Sequence, residues 1–156
     1  ARVFQSCGYL AARLAGADEE LSCRLGRFGL HLGIAYQASD DVLDLTGEHA
    51  QIDKTPGRDV AGLNITLPLI SLLDQLDSPQ KQRIIERLRG NSINRAELRE
   101  LMSSYRCFDY VYNFSRAQLD QALEQLKALP QNHPTAILEE IAELISARSR
   151  QSVETK

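Results

Sequence analysis

No stretch of the sequence reaches the ~18 consecutive apolar residues of a membrane span, and its first residues carry neither a secretory pattern nor an initiator Met. The expectation is a cytoplasmic protein without a membrane span, whose chain begins inside a longer gene product. Cysteine is scarce: Cys7, Cys23 and Cys107 form no CxxC pair and no Cys/His cluster at zinc spacing. An odd number cannot close a disulfide set, so all three read as buried structural thiols in a reducing compartment. Basic charge is in deficit, with 18 Lys and Arg against 21 Asp and Glu, which leaves no basic surface for a phosphate backbone and argues against nucleic acid as a partner. Gly and Pro are few at 9 and 5, and apolar residues reach 43%, so collagen-like and disordered classes are excluded. Period-2 alternation long enough for a sheet is missing too, as are internal repeats and low-complexity segments.

What remains is helical periodicity. Val3, Cys7, Leu10 and Leu14 recur at three- and four-residue steps and predict a helix over 1–15 that stops at Gly16. Asp18 is the expected N-cap of a long helix over 18–46, with Glu19 and Glu20 at its positive end and an apolar stripe through Leu21, Leu25, Phe28, Leu32, Ala35, Tyr36 and Leu43. Gly47 closes it. Residues 47–63, rich in Asp, Gly, Thr and Pro, read as a long loop of the kind more often functional than not. Further helices are expected over 64–77, 79–89, 94–113, 114–128 and 134–150, opened by Ser78-Pro79, by Asn94 with Glu97, and by His133-Pro134.

The charge is unevenly distributed. Residues 1–62 hold six bases and nine acids, whereas 63–156 are balanced, so the whole net −3 lies in the first part. Asp40 and Asp44 are four apart and share a helix face, with Asp41 about 100° around. No Lys or Arg stands three or four residues from any of them. Like charges at this spacing cost ~0.2–0.5 kcal/mol per pair, and anions near a helix C-terminus oppose the macrodipole by ~0.3–1 kcal/mol each. Such a cluster is either a solvated acidic helix end or a site for an external cation, and hard oxygen donors on a rigid frame suit Mg²⁺. Lys54 and Arg58 follow on the loop. Lys54 is either an ordinary exposed lysine or an ammonium facing a diphosphate, where it would offset charge on a leaving group.

The run YQASDDVLDLTGEHAQIDKTPGRDVAGLNITLPLI resembles the second aspartate-rich region of trans-isoprenyl diphosphate synthases. That family shows an aromatic-Gln pair, DDxxD, a glycine-containing loop with Lys and a final Asp, and Thr-Leu-Pro opening the next helix. Here those positions are Tyr36, Gln37, Asp40, Asp41, Asp44, Lys54, Gly57, Asp59, Thr66, Leu67 and Pro68. The helix over 1–15 also resembles the one preceding this region in medium- and long-chain members.

The resemblance implies an all-α fold, the C-terminal half of an isoprenoid-synthase-type helical bundle, with 1–156 a partial domain. It implies that Asp40 and Asp44, supported by Asp41, hold Mg²⁺ bridging to an allylic diphosphate. Lys54 would contact that diphosphate as it leaves, and Tyr36 and Gln37 would lie towards isopentenyl diphosphate. The reaction would be ionisation of the allylic diphosphate, attack by the isopentenyl double bond and proton loss. The implied partners are those two substrates, together with a second copy of the chain in a dimer or a missing N-terminal half.

The sequence also departs from the pattern. The first aspartate-rich motif, the upstream arginines and a Lys-Thr pair before Ala1 are not in it, and Asp53 precedes Lys54 where many members have Gly. Half of a two-sided metal clamp is therefore present, and the chain alone is expected to be inactive. Two alternatives stand beside the synthase: a non-catalytic half-length partner of another subunit, and a terpene cyclase using similar metal logic. His31 reads as a satisfied helix residue and His49 as a loop residue. Arg148 and Arg150 read as a solvated basic helix end. Tyr105, Phe108, Tyr110, Tyr112 and Phe114 read as helix packing or the lining of a prenyl pocket.

Overall fold

Local punctuation sets where each helix begins and ends. In the computed structural model, which describes residues 1–46, 65–90, 92–130 and 132–154, the described residues form seven α-helices and no strand. These are α1 (Arg2–Leu14), α2 (Glu19–Thr46), α3 (Leu67–Gln75), α4 (Ser78–Arg89), α5 (Arg95–Ser104), α6 (Cys107–Leu126) and α7 (His133–Glu154). None is long and apolar enough to cross a membrane. The expected loop, with Gly47, His49, Asp53, Lys54, Gly57, Arg58 and Asp59, lies outside the described residues.

Gly16 ends α1 as expected: at φ +82 it takes the left-handed conformation that costs glycine nothing. This lets the Ala17 N–H reach back to the Ala12 carbonyl at 3.0 Å. Asp18 caps α2, its Oδ1 accepting from the Leu21 N–H at 2.8 Å. Two expected caps move by one residue. Asp77, not Ser78, caps α4, in a reciprocal capping box with Gln80. Asn132, not His133, caps α7 by accepting from the Thr135 N–H at 3.2 Å. In both cases an Asx carboxylate or amide one position upstream outcompetes the residue beside the proline.

The expected boundary between 94–113 and 114–128 is a larger error. The break falls at Tyr105–Arg106, and α6 then runs unbroken from Cys107. No glycine or proline marks it. Arg106 itself takes a left-handed φ of 54, which costs a side-chain-bearing residue ~1–2 kcal/mol, and its guanidinium donates to Asp109 Oδ2 at 2.8 Å.

The described residues fall into two compact units, those within 1–39 and 112–151 and those within 40–111 and 152–154. In the first, Phe28, Leu32 and Ala35 of α2 pack with Leu119, Ala122 and Leu126 of α6 and Ala142 and Ile145 of α7. Each large side chain so buried contributes about 1.5–3 kcal/mol.

Helix α1 joins this unit through glycines. A Cβ on Gly29 would lie 2.2 Å from the Phe4 carbonyl oxygen, and one on Gly8 would lie 2.3 Å from that of Leu25. Only hydrogen fits there, so the two backbones approach closely. Because α1 docks by that small-residue face, its predicted apolar stripe turns outward: Val3, Leu10 and Leu14 are 72%, 54% and 89% exposed. Cys7 is exposed with them and Cys23 is half-buried, so of the three thiols expected in the core only Cys107 is buried.

In the second unit α3 packs against α5, and Gln75 donates to the buried Cys107 Sγ at 3.8 Å. Burial pushes the Cys107 thiol above its ordinary pKa. Arg87 of α4 forms a two-pronged pair with Glu97 of α5, at 2.6 and 2.8 Å. Asn94 accepts from the Glu97 N–H at 2.8 Å, as expected. The Glu97 carboxylate, however, serves Arg87.

Candidate functional site

The residues singled out from sequence stand on consecutive turns of one helix. Tyr36, Gln37, Asp40, Asp41 and Asp44 all belong to α2. Asp40 and Asp44 are one turn apart, a separation that puts their Cβ atoms about 5–6 Å from one another. Asp40 and Asp41 are half-buried and Asp44 exposed, while Val42 and Leu45 are buried. The acids therefore occupy the accessible side of a turn whose other side is fixed in apolar surroundings. Basic residues are missing from the last turn of α2. Among the described residues no three His, Cys, Asp or Glu side chains form a ready cage for a metal ion. Lys54 lies outside the described residues. Thr66, Leu67 and Pro68 open α3 as expected, with Thr66 extended as N-cap and Pro68 in the first turn.

Tyr36 is held more tightly than its place on a helix stripe suggested. The Phe4 ring of α1 lies with its centroid 5.7 Å away, tilted by 34°. From α7 the Arg148 guanidinium sits over the Tyr36 ring, 4.6 Å from its centroid, in cation–π geometry. Arg148 was expected at a solvated helix end; it is half-buried on an aromatic instead.

One turn on, three buried hydroxyls meet. Ser39 and Ser115 both donate to the Ala35 carbonyl, at 2.9 and 3.3 Å. Ser149 bonds to Ser39 and, at 3.0 Å, to Ser115. Sequence reasoning missed this cluster because serine was counted as polar. The signal was present, since Ser39 falls on the stripe Leu32, Ala35, Val42 at steps of three and four.

The remaining residues take structural roles. His31 is satisfied by Gln118 Oε1 at 2.8 Å, as expected. Phe108 is buried, whereas Tyr110 is 50% exposed, and Tyr105 sits in the break before α6.

The family model for polyprenyl synthetase matches residues 1–105. A curated relative, heptaprenyl diphosphate synthase component 2 of Geobacillus stearothermophilus, is 33% identical over 142 residues, covering 89% of this chain and 43% of that protein. The crystal structure of a polyprenyl synthase from Roseobacter denitrificans superposes at a TM-score of 0.80 with 22% identity, covering 94% of this chain and 48% of the other. That of geranylgeranyl pyrophosphate synthase from Corynebacterium glutamicum, complexed with calcium and isoprenyl diphosphate, does so at 0.71 with 26% identity, covering 93% and 46%. The chain thus spans less than half the length of these proteins. With its all-α fold of isoprenoid-synthase type and a family match over two thirds of its length, the chain belongs to the polyprenyl synthetase family.

Proposed function

We propose that residues 1–156 form the C-terminal half of a Mg²⁺-dependent trans-isoprenyl diphosphate synthase, which extends an allylic diphosphate with isopentenyl diphosphate and releases diphosphate. The observation that carries this is the DDxxD turn of α2, Asp40 to Asp44, inside the segment matched by the family. The donor chemistry fits the ion: Mg²⁺ favours one or two carboxylates and fills its shell with water and phosphate oxygens. The calcium and isoprenyl diphosphate of the Corynebacterium glutamicum relative support a divalent cation beside a diphosphate. Asp40 and Asp44 would hold the ion, with Asp41 in support, and when bound it neutralises negative charge on the diphosphate.

The chain's own groups do the rest. Lys54 would bring an ammonium to the departing diphosphate, where a fixed cation stabilises the charge that develops as the carbon–oxygen bond breaks. Tyr36 and Gln37 would lie towards isopentenyl diphosphate, whose double bond attacks the allylic carbocation. Loss of a proton to the released diphosphate then completes the new double bond.

Replacing Asp40 and Asp44 together by Ala in the full-length protein should abolish incorporation of labelled isopentenyl diphosphate. Retained turnover would sink the assignment. A second reading, a partner subunit of another synthase, is favoured by the relative named as component 2. It predicts co-purification with a second synthase subunit and no turnover by this protein alone. Cyclic hydrocarbon products on chromatography would instead identify a terpene cyclase.

A further inference from the structure

Arg148 and Ser149 are neighbours on α7, and both reach the same two turns of α2. Arg148 covers the Tyr36 ring at 4.6 Å, and Ser149 joins Ser39 and Ser115 in the buried hydroxyl cluster. The three serines are 0–2% exposed. A buried hydroxyl left without its partner costs about 1–3 kcal/mol, so the cluster fixes the register of α7 on α2. A slip of one residue along α7 would swing each side chain by about 100°. It would break the hydroxyl cluster and carry Arg148 off the ring at once. Phe4 abuts the same ring, so Tyr36 is constrained from both α1 and α7.

We propose that Arg148 is a positioning residue for isopentenyl diphosphate: indexed by Ser149, its guanidinium fixes the Tyr36 ring in the orientation that receives this substrate. The inference rests on the synthase reading above, which puts Tyr36 on the isopentenyl side. Arg148 lies beyond residues 1–105, the segment the family model matches, and only the packing of α7 brings it to the motif. A ring already held spares the substrate the entropy of ordering it. The effect of losing Arg148 therefore belongs in the affinity for isopentenyl diphosphate and not in the chemical step.

The test is steady-state kinetics on the full-length protein, with calorimetric titration of isopentenyl diphosphate alongside. Arg148→Ala should raise KM and Kd for isopentenyl diphosphate about twofold to twelvefold, the span that ordering one side chain on binding costs. It should leave kcat and the KM for the allylic substrate within about twofold. Arg148→Lys keeps the charge but loses the broad guanidinium, so it should recover part of the affinity. In a Tyr36→Leu background, Arg148→Ala should add no more than about twofold, because the two residues act as one unit.

An active wild type in which both Arg148 variants bind isopentenyl diphosphate normally overturns this inference alone. So does a loss that adds in full to that of Tyr36→Leu. Wild-type protein that neither turns over nor binds isopentenyl diphosphate overturns the synthase reading and this inference together. Should Arg148→Ala fail to fold, Arg148→Lys and Arg148→Met carry the same comparison.

Discussion

Asp40, Asp41 and Asp44 illustrate how far single residues can be read without a structure. Charge, spacing and the absence of a nearby base marked them, and all three lie on α2 where helical periodicity put them. The neighbouring devices were not legible, because each depends on residues distant in sequence. Ser39 falls on an apolar stripe, but Ser115 and Ser149 look like ordinary polar residues until three helices bring them together. Ser115→Ala removes its hydrogen bonds to the Ala35 carbonyl and to Ser149, and chemical denaturation should register a loss of about 0.5–1.5 kcal/mol per bond. A second residue-scale prediction concerns Glu97. Hydrogen bonding to Arg87 holds its carboxyl below the ordinary value of 4.5. A depressed folded-state pKa contributes stability that is complete above the unfolded value and is lost as pH falls through the folded one. The melting temperature of Glu97→Gln should therefore fall below wild type near pH 7, and the gap should close as pH falls below the ordinary carboxylate value of 4.5. A gap that does not change with pH would show that the pair contributes through packing and not through charge.

At the scale of elements, periodicity found the helices and misjudged two of their relations. The stripe Val3, Cys7, Leu10, Leu14 was sound as a pattern, yet α1 docks by its other face. Close backbone approach through Gly8, Gly26, Gly29 and Gly33 leaves no trace in hydrophobic spacing. This gives a counterintuitive prediction for Gly29→Ala. Alanine is the better helix former by ~1 kcal/mol, but its Cβ would stand 2.2 Å from the Phe4 carbonyl oxygen, and backbone cannot yield as a side-chain tip can. The substitution should destabilise the protein by about 1–3 kcal/mol in equilibrium unfolding. A neutral or stabilising result would mean that α1 does not rest on α2 in this way. The break between α5 and α6 escaped for a related reason. Arg106 supplies the left-handed turn usually left to glycine, so no breaker residue announced it. The capping residues, being local chemistry, were correct to within one position.

At the scale of the molecule, two apolar stripes stand exposed. One is Val3, Leu10 and Leu14 on α1; the other is Ile137, Ile141 and Leu144 on α7, the last of these 70% exposed. Apolar rows of this kind mark surfaces that associate, so the 156-residue chain on its own should self-associate. Leu10→Glu with Leu14→Glu should shift it towards monomer in light scattering. A wild-type chain that stays a monodisperse monomer would contradict this. The chain spans 43% of the Geobacillus stearothermophilus relative, and the proposed elongation is assayed in the full-length protein. Incorporation of labelled isopentenyl diphosphate into an allylic diphosphate by that protein, followed as Mg²⁺ is titrated, tests the central claim most directly. Incorporation should rise with Mg²⁺, vanish with chelator, and be absent throughout from the protein carrying Asp40→Ala and Asp44→Ala. Chain elongation that survives either the chelator or the double substitution would contradict the role assigned to the α2 aspartates.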